Sequence, residues 1–293
     1  MQQVTVRVPA STSNLGPGYD CLGVALQLRN SVTVVRGKMP RSSHPRIVSD
    51  AAERFFKQIR RRAFSFSCSI VERVPRCRGL GGSATIRVGV LLALNRLNGD
   101  PLDRLSLFGL CAELEGHPDN AAPASFGGFT VVRSARGAGR SPQRDLLTIQ
   151  RFGVSPRLYF VLVVPELEIE TSKARRVLPK EISRVAAVQN SANACAITAA
   201  FASRDYEKMR GAFLDHLHQP FRTKLIPFLP HVIAAAENAG ALGGFLSGSG
   251  STIAAVTLHT PNKIAAVMAP AAGIIGRTII TRADNRGAQV FSH

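Results

Sequence analysis

Residues 78–85 read RGLGGSAT and run directly into a helical stretch, 84–97, in which Ile86, Val88, Val90, Leu91, Leu94 and Leu97 crowd every side. A helix that is apolar nearly all round belongs in a core, so the glycine-rich turn brings the N-terminus of a buried helix to one spot. Free backbone N–H groups and the positive end of the helix dipole make that spot an anion cradle suited to phosphate. Glycine at 79, 81 and 82 lets the backbone turn with positive φ and approach such an anion closely. The Ser83 hydroxyl is then within reach of phosphate or Mg²⁺. The turn lacks the lysine of a Walker loop and does not follow the GxGxxG dinucleotide pattern.

Outward from this turn, Val4, Val6 and Val8 alternate as a strand does, and 24–35 holds a second such run. Residues 49–61 carry Ala52, Phe55, Phe56 and Ile59 at amphipathic-helix spacing, with Ser49 or Asp50 as N-cap. A strand is expected over 64–74 and a helix over 102–115, ended by Gly116 and Pro118. The stretch 134–156, opening SARGAGRSPQRDLL, reads as a linker and places a domain boundary near 155, giving domains 1–155 and 156–293. Beyond it come a buried strand at 158–164, helices at 181–202, 205–217 and 230–239, a strand at 253–258, a helix at 261–272 and a terminal strand at 277–282. The order is that of an α+β protein.

With 293 residues and 45% apolar composition, the chain can build real cores and is no disordered segment. Its 37 Lys and Arg against 19 Asp and Glu give a net charge of +18, which attracts polyanions but does not specify a fold. A dedicated nucleic-acid surface would interleave basic clusters with stacking aromatics. Arg60, Arg61 and Arg62 lie between Phe56 and Phe64, but Trp is absent and Tyr occurs three times. Specific nucleic-acid binding is therefore not expected. Five cysteines, an odd set without CxxC spacing, indicate neither a disulfide framework nor a zinc site. No basic-then-apolar leader and no run of about 18 apolar residues occurs, so a cytoplasmic protein without membrane contact is expected.

Three further segments carry chemistry. PASTSNLGPGYDCLG, residues 9–23, sets Asn14 and Asp20 around a Gly-Pro-Gly turn between two strands. GGFLSGSGSTIAAV, residues 243–256, lets the backbone at Ser247, Gly248, Ser249 and Gly250 come near a ligand or simply turn tightly. EGHPDN, residues 115–120, packs two carboxylates, an imidazole and an amide at a helix end, denser than capping requires.

Taken together and in order, these four segments resemble the three motifs of the GHMP kinase superfamily: 9–23 its substrate loop, PRCRGLGGSAT (75–85) its ATP loop PxxxGLGSSAA, and 243–256 its third motif. EGHPDNAAPASFGGF (115–129), TSKARRVLP (171–179) and HQPFRTKLIP (218–227) are similar to the homoserine kinases within it. The resemblance implies a two-domain GHMP fold, an N-terminal ATP-binding domain followed by a C-terminal ferredoxin-like domain. The implied activity is transfer of the γ-phosphoryl group of ATP to the hydroxyl of L-homoserine, with Mg²⁺. It further implies that Asn14 and Asp20 contact the amino acid, with Asp20 at its ammonium, and that Arg175 and Arg222 clamp its carboxylate. Arg78, Gly79, Leu80, Gly81, Gly82, Ser83 and Ala84 would hold ATP, with Lys173 or a nearby Arg assisting. Ser83 and Glu115 would ligate the metal, Glu113 being the fallback, while His117 and Asn120 would lie beside the reacting hydroxyl. Asn120 stands where sister kinases have an Asp base, and Gly82 where the family commonly has Ser. Another small-alcohol GHMP kinase, or a basic nucleic-acid-binding protein on this fold, are the alternatives. The oligomeric state is left open, a homodimer among the options.

Overall fold

The structure is a computed structural model that describes residues 2–37, 44–133 and 148–292. It is built on two antiparallel sheets. The first centres on a long hairpin, β1 (Gln3–Asn14) and β2 (Gly18–Arg36). β3 (Phe66–Val71) pairs with the far half of β2, and β4 (Phe129–Arg133) with its near half. β5 (Thr148–Phe152) pairs with β4, and β10 (Gln289–Ser292) returns to pair with β1.

One face of this sheet is covered by α1 (Arg46–Ile59), α2 (Gly82–Leu97), α3 (Arg104–Glu115) and α4 (Ala121–Phe126). The alternating Val4, Val6, Val8, Val32 and Val34 pack there against Phe55, Leu91 and Phe108. α2 is the central helix, buried at twelve positions, and a Cβ at Gly89 would collide with Val32 at 2.5 Å, so glycine lets it lie tight on β2. Each large side chain buried here contributes roughly 1.5–3 kcal/mol.

The second sheet runs β7 (Gly243–Leu246), β8 (Ile253–Thr257), β6 (Tyr159–Pro165) and β9 (Gly276–Arg282), with α8 (Leu229–Asn238) and α9 (Pro261–Ala272) packed against it. α6 (Arg184–Ser203) lies over the junction of the two sheets, where Phe201 stacks on Phe129 at 4.0 Å between centroids and joins Phe160 and Leu162 of β6. α5 (Thr171–Arg176) and α7 (Gln219–Arg222) are single turns that carry site residues.

Several expectations are corrected. α1 starts at Arg46 with Pro45 as N-cap, because the amides of Val48 and Ser49 already bond the Pro45 carbonyl. The helix expected over 205–217 is only a 3-10 turn, Tyr206–Met209: Gly211 turns at φ +80°, and the Asp215 carboxylate accepts from the amides of 217–219. The strand at 277–282 is not terminal, since β10 follows and joins the other sheet. Of the linker expected over 134–156, residues 134–147 lie outside the described residues, while 148–152 form β5, held by its pairing with β4 rather than running free.

Candidate active site

A cavity of about 490 Å³ collects every motif segment. The β1–β2 turn forms one wall through a run of left-handed residues: Asn14 (φ 71°), Leu15 (47°) and Gly16 (76°), then Asp20 (58°). Asn and Asp tolerate this region better than most side chains. Asn14 is held at both ends, its Nδ2 donating to the Gly248 carbonyl at 3.1 Å and its Oδ1 accepting from the Asp20 amide at 3.1 Å. Only glycine fits at 16, where a Cβ would meet the Phe213 carbonyl oxygen at 2.4 Å.

The glycine-rich turn makes the opposite wall. Gly79 and Gly81 take positive φ, and a Cβ at either would strike Ser247 O at 2.0 Å or Ser11 Oγ at 2.2 Å. Gly82 departs from expectation: it is the first helical residue of α2, its φ is not positive, and a Cβ there would have its nearest contact at 3.5 Å. The first-turn amides of α2, from Gly82 to Ala84, have no intrahelical acceptor and lie at the positive helix end. Arg78 fixes the turn, its Nε donating to Pro165 O at 2.8 Å and its Nη1 pairing with Glu168 at 3.3 Å. The third motif laces the walls together. Ser247 Oγ donates to Gly79 O at 2.6 Å, the Gly248 amide donates to Ser13 O, and Ser249 meets Thr171 at 3.3 Å. Gly248 and Ser249 line the cavity with Arg78 and the residues from Gly79 to Ser83, while Ala84, Ser247 and Gly250 are not among its lining residues. Lys173 is exposed on α5 and is not among the lining residues.

Glu115 ends α3, and Gly116 in the left-handed region turns the chain into HPDN. The Glu115 carboxylate accepts from Ser83 Oγ at 2.7 Å and from Arg87 Nη1. Glu113, the fallback ligand, is engaged elsewhere, paired at 2.8 Å with Arg54 of α1. Asn120 is clamped: its Oδ1 accepts from Ser11 Oγ at 2.9 Å and its Nδ2 donates to Ser13 Oγ at 3.1 Å. Behind it, His117 Nδ1 meets Asp119 Oδ1 at 2.5 Å. Burial opposes the charge of His117, but the hydrogen bond and charge of Asp119 outweigh it, so its pKa is raised. Burial likewise opposes the Asp119 carboxylate, and the His117 contact outweighs that too, lowering its pKa. Each group thus favours the charged form of the other.

Asp20 and Arg175 form a bidentate pair at 3.0 and 2.8 Å on the cavity wall. Arg222 is 2% exposed and donates to Gly248 O at 2.8 Å and Ala174 O at 3.2 Å. Its Nη2 makes no hydrogen bond among the described residues, although the side chain lines the cavity. Sequence reasoning missed the support of this arginine. His218, fully buried, accepts from Arg222 Nη1 at its Nδ1 (3.2 Å) and donates from Nε2 to Gly16 O at 2.8 Å. Burial, aided by the charge of Arg222, pushes its pKa down to about 4, so the ring is the neutral tautomer these bonds require. Also missed were Ser11 and Ser13, and Tyr19, whose ring faces both Arg175 and Arg222 at about 5.5 Å. The HQPFR run was the available signal for His218, and the alternation of β1 hid its serines as ordinary strand residues.

The arrangement thus joins an anion cradle, a carboxylate–hydroxyl pair of hard oxygens and a zone with one carboxylate and two guanidiniums. Among the described residues no cluster of three His, Cys, Asp or Glu side chains could hold a metal by itself, and no helix is long and apolar enough to cross a membrane. The family models for the GHMP kinases N terminal domain and for the GHMP kinases C terminal match residues 46–128 and 196–274. The chain is 34% identical over 302 residues to a homoserine kinase of Carboxydothermus hydrogenoformans, covering 97% of this chain and 96% of that one. It is 37% identical over 278 residues to a homoserine kinase of Moorella thermoacetica, covering 91% of each. The crystal structure of a homoserine kinase from Cytophaga hutchinsonii superposes with a TM-score of 0.87 at 26% identity, covering 99% of this chain and 98% of that one.

Proposed function

The chain belongs to the homoserine kinases of the GHMP kinase family, and from that membership we propose that it moves the γ-phosphoryl group of ATP to the side-chain hydroxyl of L-homoserine, giving O-phospho-L-homoserine and ADP. The observation that carries the substrate assignment is the Asp20–Arg175 pair beside Arg222. An α-amino acid brings an ammonium and a carboxylate of its own. Each can replace one partner of that pair, Asp20 taking the ammonium and Arg175 with Arg222 the carboxylate, so no charge is left unmatched. Planar guanidiniums suit the carboxylate because they bind it with two parallel hydrogen bonds.

The α2 amides and the turn from Gly79 to Ser83 would receive the phosphates of ATP. Ser83 and Glu115 fit Mg²⁺, a hard cation that takes few protein oxygens and completes its shell with phosphate and water. Their oxygens already converge at 2.7 Å. Mg²⁺ bound there would neutralise charge on the β- and γ-phosphates.

In the reaction the substrate oxygen forms a bond to the γ-phosphorus while the bond from that phosphorus to the β–γ bridging oxygen breaks. Phosphoryl transfer through a loose transition state depends mainly on position and charge neutralisation. Asn120, fixed by Ser11 and Ser13, holds the hydroxyl in line, and His117, whose pKa is raised by its contact with Asp119, lies beside it. Asp119 is committed to His117 and to the Asn120 amide, so the hydroxyl proton passes to the phosphoryl group or solvent rather than to a protein base.

The division near residue 155 is retained as a proposal, supported by the separate sheets and crossed by β10. A cytoplasmic location is likewise proposed. The test is a panel of alcohols with ATP and Mg²⁺, following ADP release for homoserine, mevalonate, shikimate and buffer. Fastest turnover on any alcohol other than homoserine would overturn the assignment.

A further inference from the structure

Arg87 lies one turn beyond Ser83 on α2, and its Nη1 is bonded to the Glu115 oxygen that Ser83 leaves free. The two side chains are 17% and 5% exposed, so little water screens them. Arg87 Nε is buried without a hydrogen-bond partner among the described residues. An arginine packed this way stabilises a core less than an apolar side chain of similar volume would, so its place is better explained by charge than by packing. Both Glu115 oxygens are thereby engaged before any ligand arrives. A divalent cation approaching alone meets a neutralised carboxylate with a guanidinium against it.

Resting on the reading of Glu115 as the metal carboxylate, we propose that Arg87 is a positioning residue that prevents Glu115 from taking a divalent cation on its own, so that the metal enters only as its nucleotide complex. The complex differs from the free ion in sign. Its net negative charge is drawn to the free amides at the N-terminus of α2, and it brings the phosphate oxygens that outweigh Arg87. A guanidinium bonded to the carboxylate that would hold a divalent ion would lower the affinity of that site for the ion by about tenfold or more.

The test measures Mn²⁺ binding to the whole protein by electron paramagnetic resonance, first alone and then with a non-hydrolysable ATP analogue. Arg87→Met should bind Mn²⁺ alone about tenfold or more tightly than the unsubstituted protein, Arg87→Lys should resemble the unsubstituted protein, and the three should converge to within about threefold once the analogue is present. Mn²⁺ without nucleotide should also raise the melting temperature of Arg87→Met and not that of the unsubstituted protein. If Arg87→Met does not fold, Arg87→Gln serves the same comparison. Unchanged or weaker Mn²⁺ binding by the neutral variant overturns the proposal. Glu115→Gln tests the underlying reading separately: retention of full Mn²⁺ binding with the analogue would mean that Glu115 is not the ligand, whatever Arg87 does.

Discussion

Replacing Arg175 with alanine should separate substrate recognition from stability. Among the described residues its guanidinium hydrogen-bonds Asp20 alone, and the two side chains are 37% and 33% exposed. Such a pair contributes at most about 1 kcal/mol to folding. With homoserine bound, the same guanidinium faces a carboxylate stripped of water, a contact whose loss costs about 2–4 kcal/mol. That range corresponds to a fall of roughly 30- to 1000-fold in kcat/KM for homoserine. The KM for ATP should hardly move, and Tm should fall by no more than about 4 °C. Arg222→Ala supplies the contrast. Its side chain is buried and bonds Ala174 O, Gly248 O and His218, so that variant should lose stability as well as activity. The measurements are ADP release at varied homoserine and a thermal melt for each variant. Near wild-type homoserine kinetics for Arg175→Ala, or a drop in Tm as large as that of Arg222→Ala, would refute the zwitterion-exchange argument.

Asn120→Ala should lower kcat by about 10²-fold or more with the fold intact, since positioning is lost but the cradle is not; a change in KM alone would point to binding. The His117–Asp119 pair makes a prediction in pH. His117 has a raised pKa and contributes stability that is full below its usual 6.5 and lost as pH rises through the raised value. Asp119, with a lowered pKa, contributes above its usual 3.8 and loses it as pH falls through the lowered value. The urea midpoint of Asp119→Asn should therefore lie furthest below that of the parent between about pH 4 and 6.5, and a flat difference across pH 4–9 would contradict the charged pair. Gly82→Ser should cost no stability, because the site is helical and open to a Cβ, and should tighten nucleotide binding; a destabilised variant would show that Gly82 is required after all. Oligonucleotide binding driven by the +18 charge should vanish near 0.15 M salt while ADP release persists, and tight sequence-selective binding at that salt would revive the nucleic-acid alternative.

The valine alternation of β1 and the all-round apolarity of α2 wrote their elements openly, since each satisfies a local periodicity. What stayed hidden depended on distant partners. β10 is a four-residue strand that exists because β1 offers it an edge, and β4 is recognisable only once β2 lies beside it. The site followed the same division. Gly79 and Gly81 were legible from chain geometry, whereas Gly82 was misread because a glycine need not use its conformational freedom. His218 and Arg87 act through contacts to other elements, Gly16 across the fold and Glu115 on α3, which no local pattern encodes. Glu113 and Glu115 differ by two residues, yet opposite faces of one helix send the first to Arg54 and the second to Ser83.

The pairing of β10 with β1 bears on how the protein reaches its working shape. Val6 finds its partner at Val290, so a contact in the sheet that presents Asn14 and Asp20 spans almost the whole chain. Contacts of such long range slow folding, because loop-closure entropy must be overcome before they return any stabilisation. During synthesis the β1–β2 hairpin and α2 can associate early, but the β1 edge stays bare until residues 289–292 have emerged. An uncovered edge is a template for pairing with another chain, so the interval between making β1 and making β10 is when the nascent protein is most exposed to misassembly.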